Sequence, residues 1–260
     1  MTLQFDLAQN APFAPVDMAG PETDCGRSRA TACERCTVRA KAICSPLDSG
    51  ELADFNRIGR RVSLKSGQTL MWEGDDSMLV ANVIEGTLKL STSTGDGREQ
   101  IVGVVYPSDF IGRPFGRRTP HSVTALSDAR LCVFTRGAFD EFARNHGGLE
   151  HQLLERTLDE LDRARGWMLL LGRKSAQEKV ATLLLDMARR LSDRKVDDGS
   201  DIAFDLPLSR QQMADVLGLT IETVSRQLGE LKRLRIISLP GRRGVVIHDQ
   251  EALEDCAEAA

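Results

Sequence analysis

Apolar positions along this chain follow three different rhythms, and each predicts a different architecture. In LEHQLLERTLDELDRARGWMLLLGRKS, residues 149–175, Leu154, Leu161, Met168 and Ser175 recur every seventh residue, with Thr157, Ala164 and Leu171 between them. That alternating spacing of three and four is the seam of two helices lying side by side. It predicts a long dimerisation helix over 147–175, with Leu154, Thr157, Leu161, Ala164, Met168 and Leu171 facing a partner. Glu155, Arg156, Asp159, Glu160, Asp162 and Arg163 fill the outer positions and are expected to face water. A single helix burying a stripe in its own domain is the alternative. The flanking blocks favour the dimer seam, because a long helix between two unlike units is suited to coupling them. Gly166 in the helix interior costs about 1 kcal/mol relative to Ala, and the crowded acids Glu155, Asp159, Glu160 and Asp162 are expected to repel across the seam.

Ahead of this helix, residues 47–146 read as short β-branched segments punctuated by glycine. Alternation after Gly86, then Gly95-Asp-Gly97 before Gln100-Ile-Val-Gly-Val-Val, predicts a hairpin. Strands at this spacing make a small antiparallel barrel or roll. Behind the helix, residues 176–260 contain a helix-turn-helix. Ser209 is placed to cap a first helix that ends at Gly218, and Thr220 to cap a second that begins at Ile221. Ala214, Val216, Leu217, Val224 and Leu228 are its expected packing residues. Arg235-Ile-Ile-Ser-Leu and Val245-Val-Ile-His around Pro240-Gly-Arg-Arg-Gly244 predict a basic-tipped wing. The fold class is therefore α+β: a β-roll sensor domain, a long helix and a winged helix-turn-helix.

Composition sharpens this picture in two places. The chain has 260 residues and a formal net charge of −4, which argues against indiscriminate nucleic-acid binding. Between Leu206 and Gly244, however, seven Arg/Lys stand against three Asp/Glu, a local excess of four positive charges suited to phosphate contacts. The second place is the cysteines. Cys25, Cys33, Cys36 and Cys44 fall within twenty residues, segment 25–46, behind a proline-bearing arm over 1–24 that is expected to be flexible. No secretory signal or membrane-length apolar run is present, so a cytoplasmic setting is expected, where clustered thiols mean metal or redox chemistry. On spacing alone an iron–sulfur cluster, an all-thiolate zinc site and free redox thiols all stay open. Cys132, in Leu131-Cys-Val-Phe134, reads by itself as a core thiol, and Cys256 sits in an acidic tail without an evident role. His121, His146, His151 and His248 are scattered, and no catalytic triad, phosphate loop or paired catalytic acids occur, so the chain is not expected to be an enzyme.

Two features together carry a resemblance. Gly218-Leu-Thr-Ile-Glu222-Thr-Val-Ser225-Arg226 resembles the recognition helix of the oxygen-sensing FNR branch of the CRP/FNR family of transcription regulators. Cys33, Cys36 and Cys44 ahead of the roll, with Cys132 inside it, resemble that branch's iron–sulfur ligands, and the seven-residue gap before Cys44 is the FnrL-like version. The resemblance spans nearly the whole chain. It implies a 4Fe-4S cluster held by Cys33, Cys36, Cys44 and Cys132, which raises Cys132 from core thiol to ligand. Cys25 is then surplus and remains an alternative ligand, while Val38, Ala40, Ala42 and Ile43 would shield the cluster from water.

The resemblance further implies a homodimer that the intact cluster stabilises, with no membrane role, acting with RNA polymerase mainly as an anaerobic activator. Its partner is double-stranded DNA, at an inverted repeat resembling TTGAT-N4-ATCAA. Glu222, Ser225 and Arg226 would read bases, with Thr220, Arg210, Arg242 and Arg243 also at the DNA. Cyclic-nucleotide-binding relatives hold ribose and phosphate with a Gly-Glu-Leu turn and an Arg-Ser pair. Here those places read Gly112-Arg113-Pro114 and Thr119-Pro120, so no nucleotide effector is expected. Other readings of the same family pattern are a structural zinc or redox thiols, or a small anionic effector near Arg117 and Arg118.

Overall fold

The computed structural model describes residues 33, 35–192 and 201–258. The arm over 1–24 and Cys25 lie outside the described residues. A 3-10 turn, Arg39–Lys41, leads to α1 (Ser49–Ile58), whose first turn is closed by a capping box between Asp48 and Glu51. Eight strands follow: β1 (Gly59–Leu64), β2 (Thr69–Met71), β3 (Leu79–Glu85), β4 (Leu88–Ser93), β5 (Glu99–Val105), β6 (Phe110–Gly112), β7 (Ser122–Ala125) and β8 (Ala129–Thr135). They form two antiparallel four-stranded sheets, β1-β8-β3-β6 and β2-β7-β4-β5, which face each other as a roll. The expected hairpin is β4–β5, with its turn at residues 94–98.

Strand periodicity decides what each side of β8 does. Ala129, Leu131 and Val133 point inward and join Leu64, Ala81, Val83, Leu88 and Val123 in the roll core. Cys132 and Phe134, one residue out of phase, point the other way. On that outer face a second apolar cluster forms from Ile43, Leu47, Leu52, Phe55, Val80, Phe134, Phe139, Phe142 and Leu149. Phe55 packs against the Phe134 ring with centroids 4.3 Å apart. Helix α2 (Arg136–Asn145) supplies Phe139 and Phe142 to it. Cys132 is thus not buried in the roll core, as its apolar neighbours in sequence suggest. It lies on the outer wall, beneath the cysteine segment.

Helix α3 (Gly147–Arg173) is the long helix. Leu149 and Leu153 pack on the outer-wall cluster, and Trp167 and Leu170 on the C-terminal unit. The opposite side leaves Leu154, Leu158, Leu161 and Met168 at 56%, 52%, 44% and 73% exposure. Two expectations about this helix are corrected. Ser175 is not a seam residue: α3 ends at Arg173, and Ser175 caps α4 (Ala176–Leu191) through a capping box with Glu178. Arg156 and Arg163 are half-buried, with Arg156 donating to the Lys41 carbonyl and Arg163 reaching to 4.0 Å from Asp109. Of the acids, Glu160 pairs with Arg163, Asp162 lies 3.1 Å from Arg165 and Glu155 lies 3.2 Å from His151.

Beyond α4 come β9 (Ile202–Asp205), α5 (Arg210–Leu217), α6 (Ile221–Arg233), β10 (Ile237–Ser238), β11 (Gly244–Ile247) and α7 (Gln250–Glu258). The wing has three strands, in the order β10-β11-β9, with β9 as the strand the sequence reading missed. Nor is the acidic end a tail. It forms α7, which buries Leu253 against α4 and holds Cys256 half-buried as an acceptor for Gln177 Nε2 at 3.4 Å.

Candidate cluster site and nucleic-acid interface

Three of the four sulfurs in question come from a short loop laid across the outer wall of the roll. Ala42 and Ile43 are buried at 1% exposure, which anchors the loop, and burying an Ile side chain is worth about 1.5–3 kcal/mol. Val38 is half-buried and Ala40 is exposed, so the shielding expected of the loop falls to Ala42 and Ile43. Cys33 donates from Sγ to Asn56 Oδ1 on α1 at 3.1 Å. Cys132 sits opposite Arg61 of β1 and Asn82 of β3 in the sheet register. The Asn82 amide oxygen is buried without a hydrogen-bond partner on this same face, an unspent polar group beside the thiols.

The thiols sense one another. Burial pushes Cys44 up to about 11, helped by Cys36 and Cys33. It pushes Cys132 up to about 12, helped by Cys33 and Cys44 against the opposing charge of Arg61. Cys33 is raised as well, first by burial and then by Cys36. Three half-buried thiols whose negative charge is disfavoured, with Cys36 beside them, form a donor set suited to a cation that takes the protons' place. Among the described residues, no three His, Cys, Asp or Glu side chains converge as ligands of one metal ion.

The cysteine loop is tied to α3 directly. Arg156 donates from Nη2 to the Lys41 carbonyl, and the Ser45 hydroxyl donates to Gln152 Oε1 at 3.2 Å. Gly148 lies against Pro46. The loop therefore grips the inner side of the helix whose outer side carries the exposed apolar stripe. Sequence reading had no signal for this grip, because a charged residue at an outer heptad position ordinarily faces water.

The C-terminal unit places its candidate residues more plainly. Ser209 and Gln212 close a capping box at the start of α5, and Gly218 ends it in the left-handed region at φ 61°, where a side chain would be strained. Thr220 caps α6, accepting from the Thr223 N–H at 3.3 Å. Val224, Leu228 and Leu231 turn into the core, with Ala214, Val216 and Leu217 of α5 beside them. This leaves Glu222, Ser225 and Arg226 exposed on one face of α6. Glu222, at the helix N-terminus, is held below the usual carboxylate range by its backbone N–H and the Thr220 hydroxyl. Arg242 and Arg243 are exposed at a tight wing tip, where a Cβ on Gly244 would meet the Pro240 carbonyl at 2.4 Å. Arg210 is half-buried and folds back, with Nη1 3.7 Å from Met213 Sδ. Ile221 was not anticipated. It is 38% exposed at the first turn of α6, an apolar side chain with no core to fill, beside Glu222 and one turn before Ser225.

Two family models match the chain: the cyclic nucleotide-binding domain over residues 61–146 and the Crp-like helix-turn-helix domain over residues 178–256. The "Transcriptional activator protein FnrL" of Cereibacter sphaeroides is 47% identical over 218 residues, covering 84% of this chain and 88% of that one. The chain belongs to the CRP/FNR family of transcription regulators. A second relative, the "Nitrogen fixation regulation protein FixK" of Bradyrhizobium diazoefficiens, is 40% identical over 227 residues, 87% of this chain and 94% of that one. The solved structure of FixK2 from Bradyrhizobium japonicum superposes with a TM-score of 0.71 at 32% identity, covering 78% of this chain and 99% of that chain. CRP/FNR membership makes the α6 face a DNA-binding surface and the chain a regulator rather than an enzyme. Among the described residues no helix is long and apolar enough to cross a membrane. The nucleotide-type roll keeps its shape but not the usual loop chemistry. Gly112-Arg113-Pro114 opens the loop, and the buried Asp140 carboxylate accepts from the Phe115 N–H at 3.1 Å while pairing with Arg136 at 3.6 Å.

Proposed function

We propose that this regulator is an oxygen-responsive, mainly anaerobic activator. In this reading Cys33, Cys36, Cys44 and Cys132 hold a 4Fe-4S cluster, two chains pair along α3, and the dimer binds an inverted repeat resembling TTGAT-N4-ATCAA. The observation that carries it is the gathering of four half-buried thiols on the outer wall, three of them in a loop hydrogen-bonded to α3 and the fourth on β8. When bound, the cluster supplies an oxygen-labile crosslink between loop and roll. The four cysteines would be its ligands, and Ala42 and Ile43 keep water from them. Arg156 and Gln152 relay the position of the loop to α3. Leu154, Leu158, Leu161 and Met168 then present the stripe to a second copy. Asp140, already lodged at the Phe115 N–H, supports a roll that works without a nucleotide or other anionic effector. RNA polymerase is the partner of such an activator.

Purification under argon tests this reading. We expect a brown protein with broad visible absorption that binds the inverted repeat as a dimer, and that bleaches and releases the repeat when air is admitted. A colourless protein with unchanged operator binding in air would overturn it.

On the DNA, the Arg226 fork is placed to donate to guanine O6 and N7, Glu222 to accept from cytosine N4, and Ser225 and Ile221 to meet neighbouring bases, Ile221 against a thymine methyl. Arg226→Ala should cost about 1–3 kcal/mol of binding and relax the preference at one guanine. Gel-shift competition with single-base operator variants checks this. An equal loss on every sequence would make Arg226 a phosphate anchor.

A further inference from the structure

Roll, seam helix and DNA-binding unit meet at one carboxylate. The turn Tyr106-Pro107-Ser108-Asp109, between β5 and β6, is clamped from several sides. Asp109 Oδ2 accepts the Tyr106 N–H at 3.0 Å, the Ser108 N–H donates to the Val83 carbonyl at 2.8 Å, and the Val83 N–H donates to the Asp109 carbonyl at 3.0 Å. Ser108 is held at φ 78°, a strained conformation for a residue with a side chain, and such strain persists only where the surroundings impose it.

From this turn the Asp109 carboxylate, 16% exposed, faces guanidinium groups on two different helices: Arg163 of α3 at 4.0 Å and Arg190 of α4 at 3.5 Å. Arg190 also lies over the Tyr106 ring, 5.1 Å from its centroid, and reaches Asp186 at 3.5 Å. The Tyr106 hydroxyl is buried without a partner. Around this junction Ile101, Val104 and Leu126 of the roll enter the core of the DNA-binding unit beside Trp167 and Leu170. Gln100 donates to the Asp215 carbonyl on α5.

None of these groups touches the thiols, the seam stripe or the base-reading face. Between α3 and α4 the chain offers only the joint at Lys174 and Ser175, so the angle at which the DNA-binding unit leaves α3 depends on what else it touches. A shielded carboxylate between two guanidiniums is a directional contact. Removing its charge leaves Arg163 to Glu160 and Arg190 to Asp186, each on its own helix, so the charged link between α3, α4 and the roll is lost. We propose that Asp109, through Arg190 and Arg163, is a positioning residue that sets the angle of the DNA-binding unit on α3 and hence the separation of the two recognition helices in the dimer. This rests on the dimeric operator binding proposed above, because half-site spacing mirrors the protein's own two-fold geometry.

The test compares the wild type, Asp109→Asn and Arg190→Gln as full chains under argon, by gel shift and size-exclusion chromatography. Three duplexes serve as probes: the TTGAT-N4-ATCAA repeat, the same repeat with its spacer lengthened by two base pairs, and a single TTGAT half-site. The wild type is expected to prefer the first duplex strongly over the second. The variants should lose about tenfold on the first duplex, bind the first and second within about twofold of each other, and match the wild type on the half-site, all while remaining dimeric. A folded variant that keeps the wild-type ratio between the two spacings overturns the proposal. So does a loss that falls equally on the half-site. If Asp109→Asn fails to fold, Arg190→Gln carries the test, and failure of both overturns the proposal by making the junction core support. A wild type that binds the repeat no better than the half-site defeats the dimer reading instead, a result distinct from these.

Discussion

Cys132→Ala, purified under argon, is expected to be colourless, to contain substoichiometric iron and to bind the inverted repeat no better than the aerated wild type. The argument is geometric. Three of the four thiols sit on a single loop, and Cys132 is the one on the roll wall, so only Cys132 lets a bound group fasten loop to roll. Without it, Ala42, Ile43, Arg156 and Gln152 still seat the loop, but no bound group ties its thiols to β8. The substitution should leave folding intact, because the inner faces of Ala129, Leu131 and Val133 complete the roll core without the cysteine. Iron analysis, the visible spectrum and a thermal melt read the three parts separately. A brown Cys132→Ala protein that still responds to air would remove Cys132 from the ligand set and reopen the place for Cys25, which lies outside the described residues.

Leu161→Glu should abolish dimerisation while sparing the protomer. Leu161 is 44% exposed in the single chain, so a carboxylate there costs the isolated fold little. In a paired seam the same side chain would be buried against its counterpart. Each lost leucine forfeits about 1.5–3 kcal/mol, and two carboxylates would then face each other away from water. A hundredfold or greater loss of dimer affinity, roughly 3–6 kcal/mol, is expected. Analytical ultracentrifugation under argon should show a monomer with an unchanged melting temperature and the brown colour retained. A variant as dimeric as the wild type would move the pairing surface off this stripe.

The parts legible in sequence were those whose meaning is local. The caps at Ser209, Gly218 and Thr220 and the inward rhythm of Val224 and Leu228 fixed the helix-turn-helix from neighbours alone, and the glycines at 95 and 97 marked the β4–β5 turn. The exposed apolar stripe could be read because Leu154, Leu161 and Met168 keep one period, although Leu158, on the same exposed side, escaped the strict heptad. What stayed hidden depends on residues distant in sequence. Arg156 looks like any solvated arginine until the Lys41 carbonyl lies beside it. Asp109 gains its meaning from Arg163 and Arg190, more than fifty residues away. Ile202–Asp205 is too short to announce a strand and is defined by its pairing with β11. Taken by itself Cys132 reads as a core thiol, and only the family resemblance made it a ligand: apolar neighbours suggest one environment, whereas along a strand they alternate between two.

That alternation has a practical consequence. The core between the two sheets is complete without any of the thiols, which lie on its outside. Under the proposed reading, a cluster held there would leave and return without the roll having to unfold.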